Sequence, residues 1–90
     1  MTKISFTSAL KTFFPDLKEE NMTVDSLEAL LIELDKRHTG LSGYLVDDKG
    51  EIRAHVKIYI DNEPIEFAVL KEMSLANSSQ IHIMQAISGG

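Results

Sequence analysis

The 90-residue chain has no cysteine. That excludes disulfides, thiolate metal centres and a side-chain thiol nucleophile. The three histidines, His38, His55 and His82, stand far apart with no paired spacing, so no metal site is expected. Ser8, Ser42 and the other serines have no base at a recognisable spacing, which leaves nucleophilic catalysis by this chain without support. No apolar run approaches the roughly 18 residues of a membrane span. The first residues lack the basic and apolar halves of a signal peptide, so a cytoplasmic protein with no membrane partner is expected. Lys and Arg number 9 against 14 Asp and Glu, a net charge of -5, and they form no cluster able to follow a phosphate backbone. Nucleic acid is therefore not an expected partner. The acidity suits docking on a basic protein surface, where opposite charge chiefly speeds encounter. It serves equally to keep a small domain soluble.

What is present fits one small domain with a thin core: 43% of residues are hydrophobic. Lys3-Ile4-Ser5-Phe6-Thr7 alternates polar and apolar, which predicts a first strand with one wet side. Phe13-Phe14-Pro15-Asp16 predicts a turn or loop, because Pro15 pushes Phe14 out of the helical region. A short strand around Asn21 to Val24 then closes a hairpin. Asp25-Ser26-Leu27-Glu28 has the form of a capping box with Asp25 as N-cap. Leu27, Leu30, Leu31 and Leu34 follow as one apolar stripe, with Glu28, Glu33, Asp35 and Lys36 on the wet side. Lys36, Arg37 and His38 favour the negative end of this helix of about 14 residues, and Gly40 supplies its stop.

Leu41 to Val46 is ambiguous, since Gly43 interrupts any period. Asp47-Asp48-Lys49-Gly50 predicts a turn. Its likeness to a calcium loop is superficial, because the glycine spacing and distal glutamate are missing. Ile52 to Ile60 alternates and predicts a central strand, with Val56, Ile58 and Ile60 inward and His55, Lys57 and Tyr59 outward. Asp61-Asn62-Glu63 makes a turn. Pro64 to Phe67 forms a short edge strand, as Pro64 cannot donate to a ladder. Asn77-Ser78-Ser79 turns into a last strand, Gln80 to Ile87, with Ile81 and Ile83 inward and His82, Met84 and Ala86 outward. One apolar helix must pack on one face of the sheet, giving a two-layer α+β domain. With a first hairpin and a C-terminal strand able to lie beside the N-terminal one, the order reads as a β-grasp with a mixed sheet. The domain is expected over residues 1–86, with a flexible tail over 87–90.

The sequence given ends in Gly89-Gly90. Glycine has no side chain beside the acyl carbon, so a narrow enzyme channel can close on bare backbone. Four extended residues from Ile87 to Gly90 reach roughly 13 Å, enough to carry the carboxylate into a partner's active site. Such a chain is more a substrate than an enzyme. A terminal glycine pair arises by chance in roughly 0.5% of chains, and frayed ends are often glycine-rich, so the pair does not decide the matter alone.

With these elements in place, the chain resembles the MoaD/ThiS family of ubiquitin-like sulfur carriers. The resemblance spans nearly all of the sequence: the opening strand, the leucine helix ending at Arg37-His38-Thr39-Gly40-Leu41, the turn Asp47-Asp48-Lys49-Gly50, the strand His55-Val56-Lys57-Ile58-Tyr59-Ile60, and Gly89-Gly90. It departs from the family pattern at Asp61-Asn62, where an Asn-Gly turn is usual. It departs again at Asn77-Ser78-Ser79, in place of an acidic, glycine-bearing turn, and at Met84-Gln85-Ala86-Ile87-Ser88, in place of a proline-containing approach to the tail. The departures leave the pathway open. The long segment between helix and central strand favours the molybdopterin and cysteine-synthesis carriers over the shorter thiamin ones.

The resemblance implies that an adenylating enzyme of the ubiquitin-activating kind uses ATP to convert the Gly90 carboxylate to an acyl-adenylate. A sulfur donor then displaces AMP to leave a Gly90 thiocarboxylate, which a sulfur-accepting biosynthetic enzyme consumes. Gly89, Ser88 and Ile87 supply the slim approach, and no cofactor is bound stably by the chain itself. Tyr59, Met84 and Ala86, on the predicted outer face near the tail, form a candidate docking patch, although scattered surface apolar groups are ordinary. His55 and His82 share that face and are able to tune docking, while His38 suits the helix dipole. Two other readings use the same features. A protein modifier would join Gly90 to a lysine, and a noncatalytic binding module or small enzyme subunit would work through the sheet face alone.

Overall fold

The computed structural model describes residues 1–85. Its strands are β1 (Thr2–Phe6), β2 (Glu20–Met22), β3 (Val56–Ile60), β4 (Glu63–Ile65) and β5 (Gln80–Gln85). They form one sheet in the order β2-β1-β5-β3-β4. The β1–β5 pair is parallel and the other pairs are antiparallel, so the sheet is mixed. β5 thus lies between β1 and β3, with Ile83 opposite both Phe6 and Ile58. The strand that leads towards the chain's end is held on both sides.

Alternation explains which face is buried. Ile4 and Phe6 of β1, Val56, Ile58 and Ile60 of β3, and Ile81 and Ile83 of β5 all point into one core. Against it lies α2 (Leu27–Arg37), which contributes Leu27, Leu30 and Leu34 as buried residues and Leu31 as a half-buried one. This is the α+β, ubiquitin-like β-grasp arrangement with one main helix on one face.

The helix begins one residue later than the capping-box pattern predicts. Ser26 is the N-cap, in extended backbone (φ -153°, ψ 163°), and its hydroxyl accepts a 3.1 Å hydrogen bond from the Ala29 N–H. The Asp25 carbonyl is engaged elsewhere, by the Leu75 N–H at 2.9 Å. At its other end α2 stops at His38, giving 11 helical residues rather than about 14. Gly40 follows at φ +92°, a conformation that a side chain would strain.

Three short helices occupy segments expected to be irregular or extended. The predicted first hairpin is interrupted by α1 (Ser8–Phe13), which buries only Leu10. Pro15 does limit it, since Phe14 is already non-helical at φ -130°, ψ 78°. Leu41–Leu45 forms α3, anchored by buried Leu41 and Leu45. Its N-cap, Gly40, has no side chain, and the Asp35 carboxylate of α2 takes over. Asp35 Oδ1 accepts from the Gly40 N–H, the Ser42 N–H and the Ser42 hydroxyl at 3.1, 3.3 and 2.9 Å. Phe67, expected to end a strand, instead starts α4 (Phe67–Leu70).

The central strand is also shorter than Ile52 to Ile60. Arg53 to Val56 is a turn closed by a 2.9 Å bond from the Val56 N–H to the Arg53 carbonyl, and Ile52 makes only an isolated bridge to Val46. Asp47–Gly50 between those two is the expected turn, with Gly50 at φ +81°. The turn from β3 to β4 places both Asp61 (φ +50°) and Asn62 (φ +75°) in the left-handed region. That is the geometry a two-residue hairpin needs, and Asp-Asn supplies it where glycine is more usual.

Candidate functional site at the root of the C-terminal segment

Gln85 ends β5 and precedes the last five residues. Ala86, Ile87, Ser88, Gly89 and Gly90, all singled out from sequence, lie outside the described residues. Two hydrogen bonds hold the strand's end to Thr7, the residue after β1. The Thr7 N–H donates to the Ile83 carbonyl at 3.1 Å, and the Gln85 N–H donates to Thr7 Oγ1 at 3.2 Å. The Gln85 side chain reaches across to α3, its Nε2 donating to the Tyr44 phenol oxygen at 3.0 Å. Its Oε1 is buried and has no hydrogen-bond partner among the described residues.

Tyr44 stacks beside Phe13, with ring centroids 5.2 Å apart, and meets Phe14 edge-on at 5.6 Å. Half of the chain's aromatic residues therefore gather where β5 ends, and Phe13 remains 61% exposed. A cavity of about 270 Å³ opens beside them, lined by Gly43, Tyr44, Arg53, His55, Val56 and Gln85. Sequence reasoning singled out neither Tyr44 nor Gln85. The contact between them spans 41 positions and leaves no local pattern.

Parity along the strands places the sheet residues as expected. Tyr59 and Met84 stand on the face away from α2, both half-buried. Tyr59 lies opposite His82 and Lys57 opposite Met84, so Tyr59 and Met84 are diagonal neighbours. Pro64 flanks Tyr59 on its other side. His82 Nδ1 lies 2.7 Å from the Ser5 hydroxyl, and its ring centroid is 6.3 Å from that of Tyr59. The row Pro64-Tyr59-His82-Ser5 thus crosses four strands, with Met84 beside it towards the chain's end. His55, by contrast, sits in the turn before β3, on the rim of the cavity by Gln85 rather than within this row.

His38 does more than face a helix dipole. Its Nε2 is 2.7 Å from Glu20 Oε2, while Arg37 donates to Glu20 Oε1 at 2.9 Å. Burial pushes the Glu20 carboxyl up, but the hydrogen bonds and charges of His38 and Arg37 outweigh it and hold the group below its ordinary value. These contacts clamp the end of α2 to edge strand β2.

A groove of about 590 Å³ runs along α2, lined by Leu27, Leu31, Ile32, Val46 and Phe67, with Asp35 and Ser42 at one side. The Ser42 hydroxyl and N–H hold the Asp35 carboxyl below its usual range, which makes it a capping group and a poor base. Among the described residues no three metal-binding side chains come together, and no helix is long and apolar enough to cross a membrane.

The ThiS family model matches residues 4–90. The chain is 25% identical over 89 residues to the sulfur carrier protein CysO of Mycobacterium tuberculosis, covering 97% of this chain and 96% of that one. The structure resembles the Amycolatopsis orientalis BexX/CysO complex structure with a TM-score of 0.82 at 19% identity, covering all of both chains. It resembles Mycobacterium tuberculosis CysO with a TM-score of 0.79 at 22% identity, over 97% of this chain and 100% of that one.

Proposed function

The chain belongs to the ThiS family of ubiquitin-like sulfur carriers, a small carrier rather than a catalyst, and we propose that its working group is the Gly90 carboxyl. A free carboxylate is a poor electrophile. An ATP-using adenylating enzyme first joins it to the α-phosphorus of ATP, releasing pyrophosphate. Hydrosulfide released by a sulfur donor then adds to the acyl carbon, AMP departs and the S–H proton is lost, leaving a thiocarboxylate. That sulfur is ionised and nucleophilic at neutral pH, ready to attack an activated substrate on a second, sulfur-accepting enzyme in the cytoplasm. ATP is consumed by the partner and no cofactor stays on the carrier.

The supporting observation is the family match, which runs through Gly90. The fold suits the role, because β5 is fixed on both flanks and by the Gln85 to Tyr44 bond, so the segment after it starts from a rigid root. With no cysteine anywhere in the chain, no internal thiol can capture the activated terminus. Tyr59 and Met84 serve in this reading as the sheet-face contact for the enzymes that handle Gly90, with Ala86, Ile87, Ser88 and Gly89 threading the active site. The acceptor is either a molybdopterin-type cofactor precursor or a sulfur-containing metabolite such as cysteine. End-to-end similarity to CysO favours the second.

Intact-mass spectrometry tests this directly. Protein incubated with ATP, sulfide and the host's adenylating enzyme is expected to exchange one oxygen for sulfur at Gly90, and a thiol-selective electrophile should then tag that position alone. An unchanged terminus would move the reading to a noncatalytic binding module. A lysine-linked adduct would move it to a protein modifier.

A further inference from the structure

From the cavity at the root of the C-terminal segment we infer a docking seat for an acidic loop of the adenylating enzyme, an inference that rests on the sulfur-carrier reading above. The chain as a whole carries a charge of -5, yet the surface around this cavity is cationic. Arg53 and His55 line it with Gln85. Lys57, which lies opposite Met84, shares a neighbouring hollow with Arg53. All three side chains are exposed, and among the described residues none makes an ion pair. The Asp47 carboxylate feels the Arg53 charge but is already committed to the Lys49 and Glu51 N–H groups, and the one acid lining the hollow that Arg53 and Lys57 share, Glu66, pairs with neither.

The cavity also offers fixed polar geometry. Arg53 donates through Nε and Nη2 to the Gly43 carbonyl at 3.2 and 3.1 Å, which locks the guanidinium plane and leaves its Nη1 edge for a ligand. A carboxylate side chain on that Nη1 edge gives the guanidinium its remaining partner. Exposed Phe13, stacked on Tyr44, gives the loop an apolar wall. A partner that must reach Gly90 passes this point, so the seat adds charge steering and register where a net negative charge alone would repel an acidic loop.

The test measures ATP-dependent pyrophosphate release by the purified adenylating enzyme of the same host, with the carrier as varied substrate. Arg53→Gln and Lys57→Glu are each expected to raise the KM for carrier about fivefold or more with kcat within about twofold, and to flatten the decline of kcat/KM with added NaCl. The Lys57 side chain makes no hydrogen bond or ion pair among the described residues, so Lys57→Glu keeps the test valid if Arg53→Gln perturbs folding. Lys36→Glu, which makes the same change of net charge on α2 and lines neither hollow, is expected to leave KM unchanged. An unchanged KM and salt slope in both variants beside an active wild type overturns the docking seat and spares the carrier reading. A rise in KM for Lys36→Glu equal to that of Lys57→Glu overturns it too, by showing that only net charge matters. Wild-type protein that elicits no pyrophosphate release overturns the carrier reading, and this inference with it.

Discussion

The Gln85 side-chain amide donates to the Tyr44 phenol oxygen at 3.0 Å, joining the last residue of β5 to a helix 41 positions earlier in the chain. Through that bond α3 and the Phe13–Tyr44–Phe14 cluster brace the point from which the C-terminal segment departs. The same amide's Oε1 has no partner among the described residues, so Nε2 is the side chain's one anchor there.

Tyr44→Phe keeps the rings in contact and removes only the acceptor. We expect a loss of about 1 kcal/mol, the net worth of one partly buried hydrogen bond, measured by urea denaturation with an unchanged m-value. A loss near zero would mean that the amide finds water at no cost and that the brace is the stacking alone.

The sheet-face patch separates contact from folding. Tyr59 is half-buried between Pro64 and His82 on the face that α2 leaves open. Tyr59→Ala is expected to weaken the complex with the adenylating or sulfur-accepting enzyme about tenfold, equal to about 1.4 kcal/mol, with the circular-dichroism spectrum retained. Isothermal titration calorimetry decides. Equal affinities for the variant and the wild type would remove this face from the interface.

Much of this architecture was legible in sequence because its signals are local. The parity of Val56, Ile58 and Ile60, the spacing of Leu27, Leu30 and Leu34, and the αL stop at Gly40 each fix a conformation within a few residues. Tyr59 and Met84 fell on the outer face by the same parity. The short helices were not legible. α1 buries a single residue, Leu10, so no period exists to read, and it holds its place by packing on the core. The alternation through Arg53 and His55 misled for the opposite reason. The pattern is present, but the Val46–Ile52 bridge pulls the chain into a turn before β3 can start. The cavity beside Gln85 draws its lining from residues 43 to 85 and is a product of topology alone.

Acid sensitivity follows from three carboxylates. Burial raises Glu20, and His38 and Arg37 more than reverse that effect. Asp35 is lowered by Ser42 and Asp47 by the Glu51 N–H. A carboxyl whose folded value lies below its unfolded value adds stability that is complete above the unfolded value, about 3.9 for Asp and 4.3 for Glu. That stability is lost as pH falls through the folded value. The melting temperature is therefore expected to be flat in this respect above about pH 5 and to drop below pH 4. Glu20→Gln should shallow the drop while lowering stability at neutral pH, since His38 and Arg37 lose their charged partner. Scanning calorimetry between pH 2 and 7 on both proteins gives the answer, and parallel curves would show that Glu20 contributes nothing to the acid limb.

The β3–β4 turn carries the last prediction, and it sets two effects against each other. Asp61 and Asn62 both sit at positive φ, +50° and +75°, so glycine at either position relieves backbone strain of about 1 kcal/mol. Their side chains are not equivalent. Asp61 Oδ1 accepts from the Ser79 and Gln80 N–H groups, each at 3.0 Å, tying the turn to the start of β5. Asn62 makes one exposed contact, accepting from Gln80 Nε2 at 3.2 Å. Removing two charge-assisted bonds costs more than the strain returns, whereas one exposed neutral bond costs less. Asn62→Gly is therefore expected to stabilise the protein by about 0.5 kcal/mol and Asp61→Gly to destabilise it by about 1 kcal/mol or more. Asp61→Asn, which keeps an acceptor oxygen and tolerates the left-handed region, should fall between them. Thermal unfolding of the three variants in one buffer ranks them. If Asp61→Gly proved the more stable, the carboxylate contacts to β5 would be incidental, and the departure from Asn-Gly at this turn would have no structural reason.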